Sequence, residues 1–291
     1  MSASKRTVLI TGCSDGGLGS ALAIAFHNAG LHVIATARTP SKMASLSAIE
    51  GIELLQLDVL SSESISNCVN VVNHLDILVN NAGAGYNMPV SDLSITEAKK
   101  VFDLNVWACI ELTQALLPLL IKSKGMIVNQ TSIASVTTLP FQAAYNASKA
   151  AMAMVSDGLR LELAPFGINV VDLKTGLVQS TMIENMKKGN LSTLPANSIY
   201  QPAKEVVEST LNADAYEGGG WTSEQWAKAV TANLLKKSLP PVIWKGESAW
   251  LARLGTILPH GALDGTVKKL YKLDVIEEKV KNSAEVKRKI I

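Results

Sequence analysis

Aromatic residues make up only 5% of the 291-residue chain, and cysteine occurs three times, at Cys13, Cys68 and Cys109. An odd, scattered set of cysteines does not form a disulfide framework and reads as reduced thiols. An excess of one charge is also missing. Lys and Arg total 27 against 25 Asp and Glu, a net charge of +2. That balance offers no broad basic face for phosphate neutralisation, so no nucleic-acid partner is expected. No run of 18 or more uninterrupted apolar residues is present, which argues against a classical spanning helix. Met1 to Arg6 is short and basic and leads straight into an apolar run without a cleavage-type segment. The acceptor triplets at Asn129, Asn146 and Asn190 are therefore read as chance matches. The four histidines, His27, His32, His74 and His260, lack paired metal spacing, so no metal is expected. A Gly-x-Ser-x-Gly hydrolase elbow is absent as well.

What is abundant is apolar and unbroken. At 47% hydrophobic and 18% charged, the chain can bury a large core and is no disordered polymer. Strand-like runs cover 7–11, 32–36, 52–57, 76–79, 125–131 and 168–173, with helical patterns at 18–29, 61–73, 95–121 and 145–164. The runs are almost continuously apolar instead of alternating, as in a parallel sheet covered on both faces. Their alternation with helices predicts an α/β fold, a doubly wound parallel sheet of Rossmann type in one domain. Gly30, Pro118 and Pro165 punctuate the helices, with Pro118 expected to bend or end the long one. Beyond Ser180 the pattern loosens, then helical periods return at 201–213 and 222–237, and 240–246 offers one last short strand. The expected organisation is a domain over 5–245, including a substrate loop at 177–200, and a helical extension over 246–291. Met182 and Met186, four apart, read as core or pocket lining.

The first chemical motif is Thr11-Gly-Cys-Ser-Asp-Gly-Gly-Leu-Gly19, between a strand and a helix. Glycines there allow a sharp turn and close approach of a pyrophosphate to the helix's free amides and positive dipole end. The second strand closes on Ala35-Thr-Ala-Arg38. An NAD site normally has a carboxylate near this point for the adenosine ribose. Here Ala37 and Arg38 stand instead, and a guanidinium clamps a ribose phosphate, so NADP(H) is the expected cofactor.

Tyr145 and Lys149 are four residues apart, on one face of a helix. A neighbouring ammonium favours phenolate and is expected to draw the tyrosine's pKa down toward operating pH. Such a tyrosine gives its proton to a carbonyl oxygen during reduction. Ser132 follows the fifth strand, at the end that faces the ligand crevice, and can bond the same carbonyl. Asn80-Asn-Ala-Gly83 ends the fourth strand with small, backbone-rich contacts for a nucleotide. Asn105 interrupts a long helix, where it either bends the helix and anchors a water or satisfies a buried carbonyl.

Together these residues resemble the classical short-chain dehydrogenase/reductase family over roughly 5–181. The resemblance implies a catalytic set of Asn105, Ser132, Tyr145 and Lys149, with Asn105 supporting a proton-relay water. It implies cofactor contacts from Gly12, Ser14, Gly17, Leu18, Gly19, Arg38, Asp58, Val59, Asn81, Ala82, Gly83, Tyr145 and Lys149. Thr175-Gly-Leu-Val-Gln-Ser180 resembles the family's Pro-Gly-x-Val-x-Thr turn, adding Gly176, Val178 and Ser180. Thr175 in place of proline suggests a looser turn. The glycine loop is one residue longer than the family's, with Cys13 to Gly16 between Gly12 and Gly17.

Within the family, the glycine loop, Ala-Thr-Ala-Arg and the tail Trp-Lys-Gly…Leu-Pro-His-Gly-Ala-Leu-Asp-Gly are similar to fungal acyl-dihydroxyacetone phosphate reductases. That likeness implies NADPH-dependent reduction of an apolar or amphipathic ketone, lipid-like or from fungal secondary metabolism. It also implies the cytoplasm or the cytosolic face of endoplasmic reticulum or lipid droplets. The reading from another class is a catalytically silent NADP-binding sensor or assembly protein. Pocket walls are expected from 83–88, 133–141 and 177–200, which carry few charges. In the tail, Trp250, Leu251, Leu254, Ile257 and Leu258 recur at helical spacing. That stripe closes the pocket, packs on a second copy in a homo-oligomer, or makes a weak membrane contact. Lys287-Arg-Lys-Ile-Ile291 resembles a dilysine retrieval signal.

Overall fold

The protein is described by a computed structural model over residues 5–181, 193–212 and 218–290, and in 284–290 by its backbone alone. Met182, Met186, Asn190 and the side chains of the 287–291 signal lie outside the described residues.

Seven strands form one parallel sheet: β1 (Thr7–Ile10), β2 (His32–Ala37), β3 (Ile52–Gln56), β4 (Ile77–Asn80), β5 (Met126–Gln130), β6 (Asn169–Thr175) and β7 (Val242–Lys245). Their order is β3-β2-β1-β4-β5-β6-β7. The order reverses direction between β1 and β4, where a doubly wound sheet opens its ligand crevice at the carboxyl ends of the strands. The unbroken apolar runs have their expected cause, since every residue of β1, β4 and β5 is buried.

Helices cover both faces. Helix α1 (Leu18–Asn28) is followed by the single turn α2 (Ala44–Ser47), α3 (Ser62–Val71), α4 (Ile95–Phe102), α5 (Ala108–Ser123) and α6 (Ala143–Leu163). Beyond the sheet's sixth strand come α7 (Lys204–Leu211), α8 (Ser223–Leu234), α9 (Ala249–Gly255), α10 (Asp264–Leu270) and α11 (Leu273–Ile290). One core joins α1 and α8 to the sheet through Leu22, Phe26, Val33, Val128 and the fully buried Trp226. The opposite core holds Leu112, Leu116 and Leu120 of α5 against Leu9, Leu78 and Ile127. The run Ile95–Ser123 is apolar enough to cross a membrane by length and composition, but here it covers the sheet.

The long helix breaks at Asn105, one of the two places expected, and not at Pro118. Pro118 lies inside α5, which continues to Ser123, whereas a π turn at Asp103–Trp107 separates α4 from α5. Such turns re-aim side chains inside a helix and recur at functional sites. Asn105 occupies this one. A third cluster, of Tyr86, Met88, Leu194, Val207 and Ile276, joins the substrate-side segments to α11. The tail is thereby fastened to the domain.

Candidate active site

A cleft of about 840 Å³ runs along the carboxyl ends of the strands. Its lining includes Gly12, Ser14, Gly17, Leu18, Arg38, Asp58, Val59, Asn81, Ala82, Gly83, Ser132, Tyr145, Lys149, Gly176, Val178 and Ser180. Two of the expected contacts, Gly19 and Asn105, lie beneath that lining.

The glycine loop is shaped by close approach. Gly12 has φ of 73°, and a Cβ on Gly19 would come within 2.5 Å of the Gly12 carbonyl and 2.6 Å of Asn81 Nδ2. Gly19 therefore lets the loop fold onto α1, which is a packing role. Asn81 holds the loop from the other side, its Nδ2 donating to the carbonyls of Thr11 (2.7 Å) and Gly12 (3.2 Å). The extra loop residue is absorbed outward. Asp15 N–H donates to the Lys42 carbonyl at 2.7 Å, and Asp15 Oδ1 accepts from the Ser45 hydroxyl at 2.5 Å. Gly17 caps α1 without any side-chain hydrogen bond, and the first turn of α1 has no acidic residue. Its first amides and positive dipole end suit an anion.

At the adenosine end the lining adds Thr39 and Lys42 to Arg38. Sequence reading missed Lys42, because its delivery depends on the turn at 40–43 and the loop bond to Asp15. Among the described residues no carboxylate pairs with Arg38. Two cations therefore share the end of the cleft where a plain ribose would need an acceptor. Cradle, uncapped helix and paired cations fit a phosphorylated dinucleotide.

At the other end, Ser132 caps a 3-10 turn at Ile133–Ser135, and its Oγ accepts from Ala134 N–H at 3.1 Å. With that lone pair engaged, the hydroxyl proton is left for an acceptor in the cleft. Tyr145 sits in the first turn of α6 and is hydrogen-bonded to the Ser132 side chain. Lys149, one turn on and buried, donates from Nζ to the Gln130 carbonyl at 2.9 Å and lies 5.8 Å from the Tyr145 ring centre. Gly83 stands over this group, where a Cβ would meet Asn105 Oδ1 at 3.1 Å and Lys149 Nζ at 3.4 Å.

The electrostatics correct one expectation. Tyr145 is pushed above its ordinary value by burial, opposed by the Ser132 hydrogen bond. Lys149 is pushed below its own by burial, opposed by the fields of Cys109 and Asp172. Desolvation penalises phenolate and ammonium alike. The lysine therefore does not bring the phenol's ionisation down to operating pH, and Tyr145 stays a protonated acid.

Asn105 spends its whole amide on protein. Its Oδ1 accepts from Ala84 N–H at 2.9 Å, while Nδ2 donates to the Ala84 carbonyl at 2.9 Å and to Ser148 Oγ at 3.0 Å. Of its two open alternatives, buried backbone satisfaction is the one seen for the side chain. Thr175 also differs from expectation: β6 runs through it, paired with Lys245, so the following turn is not loosened. Gly176 is required by a chain crossing, since a Cβ there would lie 2.1 Å from the Glu247 carbonyl. On the substrate side the cleft is lined by Gly83–Asn87, Leu177, Val178, Ser180 and Thr181, whereas Met88 packs in the core and residues 133–141 stay outside the lining. Among the described residues no cluster of His, Cys, Asp and Glu could hold a metal.

Comparison with known proteins agrees with this geometry. The family model described as short chain dehydrogenase matches residues 6–191. A short-chain dehydrogenase/reductase of Pestalotiopsis microspora is 55% identical over 281 residues, 97% of this chain and 99% of that protein. The NADPH-dependent 1-acyldihydroxyacetone phosphate reductase of Schizosaccharomyces pombe is 37% identical over 287 residues, 92% of this chain and 95% of that one. Among solved structures, a short-chain dehydrogenase from Streptomyces avermitilis superposes with a TM-score of 0.75 at 28% identity, covering 95% of this chain and 98% of that one.

Proposed function

The chain belongs to the short-chain dehydrogenase/reductase family, and we propose that it is an NADPH-dependent reductase of ketones on apolar or amphipathic substrates. The observation that carries the reading is the convergence of Ser132, Tyr145 and Lys149 on one end of the cleft that has Arg38 and Lys42 at the other. NADP(H) is the cofactor, held by the glycine loop, the start of α1, Arg38 and Lys42, with Asp58, Val59 and the 81–83 turn along its length. When bound, it supplies the hydride for reduction.

The protein's own part is acid catalysis and orientation. Ser132 Oγ, fixed by Ala134, donates to the substrate carbonyl oxygen and holds it against Tyr145. Tyr145 Oη transfers its proton to that oxygen as negative charge develops there. Lys149 holds Tyr145's end of α6 to β5 through the Gln130 carbonyl and places positive charge behind the phenol. A tyrosine kept protonated by burial suits reduction over oxidation.

The named activity of the Schizosaccharomyces pombe relative makes an acyl-dihydroxyacetone phosphate one substrate candidate, and a fungal secondary-metabolite ketone is the other. NADPH oxidation measured with an acyl-dihydroxyacetone phosphate, a polyketide-like ketone and a steroid ketone tests this. Turnover of a lipid or polyketide ketone supports the reading. NADPH binding without turnover of any of them overturns it in favour of a silent sensor. We also propose that the exposed tail stripe gives a weak, salt-sensitive contact with anionic membrane surfaces.

A further inference from the structure

Strand β6 buries an ion pair that the reaction just described does not use. Asp172 and Lys174, two apart and so on one face of the strand, are joined Oδ2 to Nζ at 2.8 Å with side chains 6% and 7% exposed. The Trp244 ring caps the ammonium, 5.5 Å from its centre. A buried pair of this kind contributes little net stability, because desolvating two charges offsets their attraction. What distinguishes it is where its remaining bonds go. Asp172 Oδ1 accepts from the hydroxyl of Thr131, the residue before Ser132. Lys174 Nζ donates to Ser135 Oγ at 2.8 Å, and Ser135 Oγ donates to the Ser132 carbonyl at 2.6 Å. Both sides of Ser132 are thereby tied to one rigid point in the sheet.

We propose that Asp172 and Lys174, acting through Thr131 and Ser135, are positioning residues that fix the Ser132 hydroxyl for the reaction. This rests on the role given to Ser132 above. A displacement of about 1 Å in such a group can cost on the order of 10²-fold in rate, so a loosened Ser132 loop is costly while the rest of the cleft stays intact.

The test uses Asp172→Val/Lys174→Met, which removes both charges together and leaves neither stranded, and Ser135→Ala, which cuts the relay alone. Each is assayed with NADPH and phenanthrenequinone as the ketone, alongside NADPH binding by fluorescence titration and thermal unfolding. Expected are a kcat lower by about 10-fold or more, an unchanged NADPH Kd and a thermal midpoint at or above that of wild type. Ser135→Thr, which keeps the hydroxyl, retains kcat. In a Ser132→Ala background the further loss disappears, because there is no hydroxyl left to position. Undiminished kcat in both variants, or the same loss with and without Ser132, overturns the proposal. Ser132→Ala at full kcat instead overturns the reading of the site on which it rests.

Discussion

Lys149 donates to the backbone carbonyl of Gln130 at 2.9 Å, while its ammonium stands 5.8 Å from the centre of the Tyr145 ring. The two residues share a helix face, but the lysine's hydrogen bond goes to the end of β5 and not to the phenol. The lysine therefore acts on the tyrosine chiefly by fixing helix to strand and by its field. Burial moves both groups toward their neutral forms.

The first consequence concerns pH. Reduction needs the protonated phenol, whose ionisation in the free protein lies above the ordinary value of 10.0. The kcat/KM for ketone reduction, which reports free-enzyme groups, should therefore show no tyrosine-dependent fall below that pH. Tyr145→Phe should lower kcat by about 10²-fold or more with NADPH affinity unchanged. A variant as active as wild type removes Tyr145 from the mechanism.

Stability gives a second measurement. The folded pKa of Lys149 is depressed below its ordinary 10.5, so below that depressed value the unfolded chain holds the charge at lower cost. The penalty is fully present below that depressed value and fades as pH rises from it toward the ordinary 10.5. Lys149→Met should abolish reduction yet raise the thermal midpoint at neutral pH, with the gain narrowing in alkali. Thermal unfolding across a pH series reads this, and a variant that melts below wild type at pH 7 contradicts it.

Coenzyme choice is the third. Arg38→Ala and Lys42→Ala should each weaken NADPH binding by about 10-fold, roughly 1.4 kcal/mol, and leave NADH nearly unchanged. Titration of both variants with both nucleotides decides it. Wild-type protein that binds NADH more tightly than NADPH sinks the assignment of these cations to a ribose phosphate.

The sheet was legible because a strand buried on both faces is mainly apolar, and β1, β4 and β5 are, with Asn80, Asn129 and Gln130 confined to the carboxyl ends of β4 and β5. The same rule hid the end of β6. Lys174 reads as a strand terminator, yet the strand continues through it because Asp172, Ser135 and Trp244 satisfy the charge. Tyr145, Lys149 and Ser132 were legible from spacing and strand ends. Lys42 was not, since a lysine far along the chain from the glycine loop looks solvated until the bond from Asp15 N–H to its carbonyl is seen. Nor was the direction of Tyr145's shift, which depends on how completely the fold desolvates it, a quantity that no local pattern carries.

The tail supplies the last prediction. Helix α9 buries Ala249 and Ala252 and turns its large side chains outward, leaving Trp250 70% exposed and Ile257, just beyond the helix, 78% exposed. Closure of this chain's own pocket, one expectation for the stripe, is thus excluded for these two side chains. Leu251, Leu254 and Leu258 are also exposed, and Arg253, Lys268 and Lys269 lie on the same stretch of chain. Apolar side chains beside basic ones suit the interface of an anionic bilayer, with an electrostatic part that salt screens. Wild-type protein should float with anionic liposomes at low salt and release as salt rises. Trp250→Ala/Leu254→Ala should remain in the soluble fraction under both conditions. Equal behaviour of the two proteins would assign the stripe to contact with another protein, a second copy of this chain included, and cross-linking at matched concentration would then separate the two proteins where flotation does not.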